Sequence, residues 1–257
     1  MTGPEFADFY DSASKQLGLT LTGDEIASFI VSNNASEEEI GFLARFIALC
    51  KEKKMETREA LFLNVSRLPK KMLMTFDRFN TDSLSAAAKR KIDSLRTLAF
   101  IEARRNVIMI GPTGTGKTHL ATSIGYECCK NGIGTYFIKM REIQDRFNKA
   151  LSTGSTGKVL NSLNKYTCLI IDEVGYCKFT MEETLLFFQL VDRFSAKERG
   201  SIVMTSNKDI PSWKDLFSEM DALECALDRL CNDSISIRFS GLSNRRGSSE
   251  LIEINYN

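Results

Sequence analysis

The chain has 257 residues, 43% hydrophobic and 26% charged, with a net charge of +1, which suits one large globular domain or an ordinary one with a small appendage. No apolar run approaches the length that crosses a bilayer, and residues 1–6 lack the basic-then-apolar layout of a secretion signal, so a cytoplasmic setting is expected. Seven cysteines without a C-x-x-C spacing and a single histidine leave almost no material for a zinc site, and reduced, buried thiols are expected instead.

Charge is unevenly spread. Residues 1–66 carry 6 Lys/Arg against 11 Asp/Glu, and residues 67–105 carry 10 against 4. A basic segment between an acidic head and a mixed body fits a polyanionic partner as readily as a solvated helix face. The head reads as helices over residues 5–16 and 24–31. Ser36 and Glu39 then form a capping box ahead of Ile40, Leu43, Phe46, Ile47 and Cys50, one apolar stripe on a helix that runs to about residue 54. A further helical pattern covers 57–68, and Pro69 breaks it, which places a domain boundary near residue 68. The expected division is a small all-α domain over 1–68 and a second domain over 69–257.

From residue 106 short apolar runs alternate with helical stretches. The runs at 107–110, 135–138, 169–171, 202–205 and 234–239 read as strands of a parallel sheet buried on both faces. The fold class is α/β, doubly wound.

Between the first strand and a helix over 117–130 lies Gly-Pro-Thr-Gly-Thr-Gly-Lys-Thr, a complete G-x-x-x-x-G-K-[ST]. Glycines let backbone N–H groups turn inward around a β-phosphate, and the helix N-terminus adds partial positive charge. Lys117 supplies a cation to the β- and γ-phosphates, and Thr118 a hydroxyl to Mg²⁺. The candidate ATP-binding run is thus Gly111, Pro112, Thr113, Gly114, Thr115, Gly116, Lys117, Thr118 and His119. Within it His119 lies on the helix, pointing away from the γ-phosphate, and is expected to pack or hydrogen-bond.

The third apolar run ends in Asp172 and Glu173, delivered to the carboxyl edge of the sheet where open α/β folds bind ligands. Asp172 is the candidate Mg²⁺ ligand, and Glu173 the group that orients or deprotonates the attacking water. The fourth run ends in Thr-Ser-Asn207, where Asn207 can bond both γ-phosphate and water, or simply turn the chain. Phosphoryl transfer also gains from an added arginine. Arg229, Arg245 and Arg246 are the candidates, although a helix arginine flanked by aspartate is ordinarily a surface ion pair.

Gly-Pro-Thr-Gly-Thr-Gly-Lys-Thr-His-Leu-Ala, Leu-Ile-Ile-Asp-Glu-Val-Gly-Tyr, Thr-Ser-Asn-Lys and Ala-Leu-Asp-Arg-Leu occur in that order. The set, over roughly residues 70–250, resembles the IstB-like transposition helper ATPases of insertion sequences, relatives of the DnaC/DnaI helicase loaders. The resemblance implies an AAA+ P-loop core with a five-stranded sheet of order 5-1-4-3-2 and a reduced lid. It implies that Arg229 is an arginine finger reaching a neighbour's ATP, and that the chain works as a homo-oligomer. In place of the family's Gly-x-Ser-Tyr-Arg this chain has Gly241-Leu-Ser-Asn-Arg245, which favours Arg245 over Arg246 as a second sensor despite Asn244 in the tyrosine's place. Such proteins assemble with ATP on double-stranded DNA and recruit or activate a partner transposase, whereas a loader's client is a replicative helicase. A helical insertion used by relatives to touch DNA corresponds here to residues 141–165, with Arg141, Arg146, Lys149, Lys158 and Lys165 available for phosphates.

Overall fold

The strands form where β-branched and apolar residues run together and can be covered on both sides. They are β1 (Val107–Ile110), β2 (Thr135–Lys139), β3 (Cys168–Val174), β4 (Ser201–Ser206) and β5 (Ile235–Arg238). All pair in parallel, in the spatial order β2-β3-β4-β1-β5. This is the expected order, and each strand starts within a residue of its apolar run. The computed structural model describes residues 3–69, 74–81, 86–218, 220–232 and 234–239; the expected lid falls on residues outside these.

Alternate strand residues supply two separate cores, as a period of two requires. Ile108, Ile138, Ile171 and Met204 face one layer, with Phe147 of α7 (Met140–Ser152), Leu160 of α8 (Thr156–Asn164), Leu190 of α9 (Met181–Ser195) and Leu230 of α10 (Met220–Cys231). Val107, Met109, Ile170 and Val203 face the other, with Leu95 of α4 (Ala86–Arg96), Ile101 of α5 (Ala99–Glu102) and Ile124 of α6 (Lys117–Lys130). Each such side chain contributes about 1.5–3 kcal/mol by leaving water. Helix α6 lies close on β3 because residue 125 is glycine. A Cβ there would meet Leu68 Cδ2 at 2.6 Å and Ile170 Cδ1 at 2.8 Å.

The chain divides into compact units at Met1–Leu61 and Phe62–Asn257. In the first, α1 (Gly3–Leu17), α2 (Gly23–Ser32) and the start of α3 (Glu37–Val65) bury Phe6, Tyr10, Ile30, Ile40 and Ile47 together. The expected capping box is present: Ser36 N donates to Glu39 Oε2 at 2.8 Å, and Glu39 N to Ser36 Oγ at 3.3 Å. The two helices expected over 36–54 and 57–68 are one helix, α3. Thr57 does not cap a new start; its hydroxyl donates to Lys53 O at 2.9 Å, one turn back inside the same helix. Phe62 and Leu63, at its end, pack with Leu68 against the core of the second unit. The two units therefore part inside α3, upstream of the boundary that Pro69 marks in the sequence.

Candidate nucleotide site at the carboxyl edge of the sheet

The loop after β1 is rooted on both sides. Gly111 N donates to Ser206 O at 3.1 Å, and Phe239 N to Ile110 O at 2.7 Å. Gly111 takes φ 155°, and a Cβ there would lie 2.4 Å from Phe239 O, so no other residue fits. Gly116, at φ 100°, turns the chain into α6, so that the helix N-terminus, with its partial positive charge, begins directly at the end of the loop. Thr115 Oγ1 donates to Pro112 O at 2.9 Å, closing the loop on itself, while Pro112 and Thr113 are exposed.

Lys117 opens α6 and is 8% exposed. Its ammonium donates to Gly111 O and Pro112 O, both at 2.7 Å. It is folded across the loop mouth, and phosphate oxygens are stronger, charged acceptors than these carbonyls.

Thr118 Oγ1 donates to Asp172 Oδ1 at 3.0 Å, and Thr205 Oγ1 donates to the same oxygen. Asp172 is 2% exposed. Burial pushes its carboxyl above the ordinary aspartate range, and the hydroxyls of Thr205 and Thr118 pull it back only in part. A buried carboxylate whose hydrogen-bond partners are neutral hydroxyls is short of positive charge. Converging hydroxyl and carboxylate oxygens suit Mg²⁺, which takes one or two protein ligands and completes its shell with water and phosphate.

Glu173 diverges from its neighbour. Pairing between β3 and β4 shifts between Ile171 and Val174, and Glu173 takes φ 62°. Such a bulge re-aims a side chain. The Glu173 amide donates to Thr205 Oγ1 at 3.1 Å, so that one hydroxyl braces both acids. The Glu173 carboxylate pairs with Lys139 Nζ of β2 at 2.9 Å, both side chains nearly half exposed. That carboxylate raises the pKa of Lys139, chiefly through the hydrogen bond.

Asn207 follows β4 and is exposed, with its Oδ1 2.7 Å from where a Gly175 Cβ would stand. Tyr176 Oη lies 3.3 Å from Thr113 Oγ1, joining the loop after β3 to the phosphate loop. A cavity of about 820 Å³ opens beside these groups, lined by Gly111, Pro112, Asn207, Asp209, Arg238 and Phe239 among others.

Two candidates lie elsewhere. The His119 ring places Nε2 3.1 Å from Thr75 O and stands edge-on to Phe79, centroids 5.3 Å apart. Its ring packs on the segment before α4, as a helix side chain there should, and bonds there rather than to the phosphate-loop side chains. Arg229 Nε meets Asp192 Oδ1 of α9 at 3.2 Å, Nη1 donates to Cys225 O at 3.2 Å, and the guanidinium lies 5.1 Å over Phe188. These contacts are to α9 and α10, not to the phosphate loop of its own chain. Arg245, Arg246 and the surrounding motif lie outside the described residues.

Sequence reasoning missed Thr205, Lys139 and Tyr176. Thr205 stood in the quoted Thr-Ser-Asn run without a role. Nothing local marks a lysine at a strand end, since its partner is 34 positions away in the chain.

The pattern of the IstB-like ATP binding proteins matches residues 14–251, reaching well into the acidic head, beyond the 70–250 over which the motifs alone carry the likeness. An ATP-binding protein of insertion sequence IS5376 from Geobacillus stearothermophilus is 34% identical over 89% of this chain and 88% of its own length. Its counterpart in IS21 of Pseudomonas aeruginosa is 33% identical over 74% of this chain and 69% of its own. Among solved structures, AMPPCP-bound DnaA from Aquifex aeolicus has a TM-score of 0.57 at 19% identity, covering 70% of this chain and 54% of DnaA. DnaI has a TM-score of 0.55 at 16% identity, covering 66% of this chain and 90% of DnaI. At such identities the structures speak for the fold alone, and the fold is AAA+. The chain belongs to the family of IstB-like ATP-binding proteins and is a P-loop ATPase.

Proposed function

We propose that this ATPase assembles with ATP on duplex DNA and there recruits or activates the transposase of an insertion sequence. The observation that carries the ATPase half is the meeting of Lys117, Thr118, Asp172 and Thr205 at one corner, with Glu173 adjoining. Lys117 grips the β- and γ-phosphates. Thr118 and Asp172 hold Mg²⁺, which when bound neutralises charge developing on the phosphates. Glu173 takes the proton of the attacking water, and Asn207 senses the γ-phosphate. Arg229 serves a neighbouring copy's site, consistent with its facing away from its own, and Arg245 is the second sensor.

The client reading rests on relatives encoded in insertion sequences. For DNA, Arg141 and Lys149 of α7, Lys158 of α8 and Lys165 just after it are exposed. Arg141 is only loosely paired with Asp145, at 3.5 Å. Such contacts grip phosphates without reading sequence and weaken steeply with salt.

Hydrolysis and DNA binding by the wild type and Glu173→Gln test this. Duplex DNA should stimulate the wild type, and Glu173→Gln should bind ATP, fail to turn it over, and stay on DNA. Wild-type turnover by Glu173→Gln removes the base assignment. Duplex binding indifferent to salt and nucleotide removes the DNA reading. Retention of the element's transposase on DNA only when this protein and ATP are present supports the client reading, and retention without them overturns it.

A further inference from the structure

Asn207 is exposed, and among the described residues no hydrogen bond holds its side chain. Its Oδ1 packs where a Cβ of Gly175 would stand, 2.7 Å away, and stays available to a phosphate oxygen. What aims this side chain is therefore the backbone on either side of it, at Ser206 and Lys208. Both are fixed by a buried cluster behind the turn. Lys208 N donates to Ser206 Oγ at 3.0 Å, and Trp213 Nε1 donates to the same oxygen at 3.1 Å. Val174 O lies 2.6 Å and Lys208 O 2.9 Å from that hydroxyl, and Lys208 O lies 3.3 Å from Trp213 Nε1. Ser206 is 1% exposed and Trp213 0%.

A hydroxyl offers one proton and two lone pairs, which assigns these bonds. The lone pairs take the Lys208 N–H and the indole N–H. The proton goes to Val174 O, the nearer carbonyl, and Lys208 O is left to the indole, whose N–H is shared between two oxygens. Trp213 thus supplies the donor that lets one serine close the turn over 206–208 and tie it to the end of β3. The Ser206 carbonyl accepts from Gly111 N at 3.1 Å, and Val174 directly follows Glu173. Ser206 therefore joins the roots of the phosphate loop, the acid-bearing strand and the Asn207 turn.

We infer that Trp213 is a positioning residue for Asn207: its indole N–H fixes the turn that carries the asparagine, and with it the site's discrimination of ATP from ADP. This rests on Asn207 being the γ-phosphate sensor of the proposed function.

The indole is itself held in one orientation. It belongs to a 3₁₀ stretch over Ile210–Leu216 whose second residue is Pro211, which pre-sets the backbone. At the far end of that stretch Leu216 O accepts from Phe179 N at 2.7 Å. The ring lies in the same apolar layer as Val174, Phe179 and Leu216, close-packed and without water. A phenylalanine would fill much of this volume but offer no donor, so packing and hydrogen bonding can be told apart at this position.

The wild type, Trp213→Phe and Asn207→Ala, each as the full chain, test the inference. Affinities for Mg·ADP and for the Mg complex of a non-hydrolysable ATP analogue are measured by equilibrium dialysis, alongside ATP turnover. Trp213→Phe should bind ADP as the wild type does, while the ratio of the two affinities moves about tenfold toward ADP and turnover falls by a similar factor, the scale of one displaced hydrogen bond. Wild-type turnover with an unchanged ratio means that the ring only fills the core, and overturns the inference. An equal loss of affinity for both nucleotides overturns it too, because the ring then supports the whole site rather than the turn. Trp213 is the single tryptophan of the chain, so the wild type gives a second reading with the ring in place. Its emission should differ between the ADP and analogue complexes, and the difference should vanish in Asn207→Ala. Identical emission with the two nucleotides, or a difference that survives Asn207→Ala, removes the link. Asn207→Ala also separates the two failures. If its turnover and affinity ratio match the wild type, the sensor reading itself has failed; if they fall in Asn207→Ala and not in Trp213→Phe, only the tryptophan's role is lost.

Discussion

The polar groups around the sheet fall into two halves built on opposite principles. Around β1, β4 and α6 the polar groups are buried and bonded within the fold: Asp172 and Thr205 are 2% exposed, and Lys117 8%. Around β2, α7 and the α9–α10 pair they are exposed and held by ion pairs, Lys139 with Glu173 and Arg229 with Asp192. Buried polar groups are costly to leave unmade and keep one arrangement. Exposed ion pairs contribute at most about 1 kcal/mol and exchange partners readily. The first half is suited to grip, the second to respond.

The largest effect should come from the responsive half. Arg229→Ala is expected to lower hydrolysis on the order of a thousandfold while ATP still binds. Mixed with Lys117→Ala, which keeps its arginine, it should regain turnover because mixed interfaces restore a complete site. A mixture that stays inactive while both variants co-assemble on DNA places Arg229 in its own chain's structure. In the gripping half, Lys117→Ala should weaken ATP binding about a hundredfold, the equivalent of ~3 kcal/mol in charge-assisted bonds. A loss below tenfold in nucleotide titration would mean that the ammonium stays on the loop carbonyls.

Thr205→Val keeps the shape and deletes the hydroxyl that braces both acids. A loss of about 2 kcal/mol in denaturant unfolding is expected, since the Glu173 amide and the Asp172 oxygen each lose a partner. Asp172→Asn should act in the opposite sense on stability. Burial holds this carboxyl above its ordinary 3.8, so the native chain keeps a proton that the unfolded chain releases. Stability therefore falls as pH rises from 3.8 through the native value, and at neutral pH the buried charge is a net cost. The asparagine variant should be more stable than the wild type at pH 7 without nucleotide, lose that pH dependence, and lose Mg²⁺-dependent hydrolysis. A destabilised variant would mean that the ionised carboxylate is better compensated than its hydroxyl partners imply. The smallest effect belongs to the exposed Arg141–Asp145 pair, where Asp145→Asn should change stability by less than about 0.5 kcal/mol.

The sheet was legible because each strand is a short apolar run covered on both faces, a pattern that helices of this chain do not share. The phosphate loop was legible for a different reason. Its glycines answer a local backbone demand, visible at Gly111 and Gly116 without knowledge of anything distant. Where propensity alone ruled, it erred: Thr57 looked like a helix start, yet an exposed threonine can also bond one turn back and let α3 continue. His119 was read by its local helix geometry, and its neighbours Thr75 and Phe79 account for it.

By itself, the sequence determined the α/β class, the strand positions, the capping box at Ser36 and which residues form the phosphate loop. Each depends on contacts within a few positions or on a simple period. Tertiary structure alone decided that adjacent Asp172 and Glu173 face opposite neighbours, that Thr205 braces both, and that Lys139 holds one of them. Those outcomes depend on a register shift between two strands brought together from distant parts of the chain. Strand register is a property of the assembled sheet and is not written in either strand.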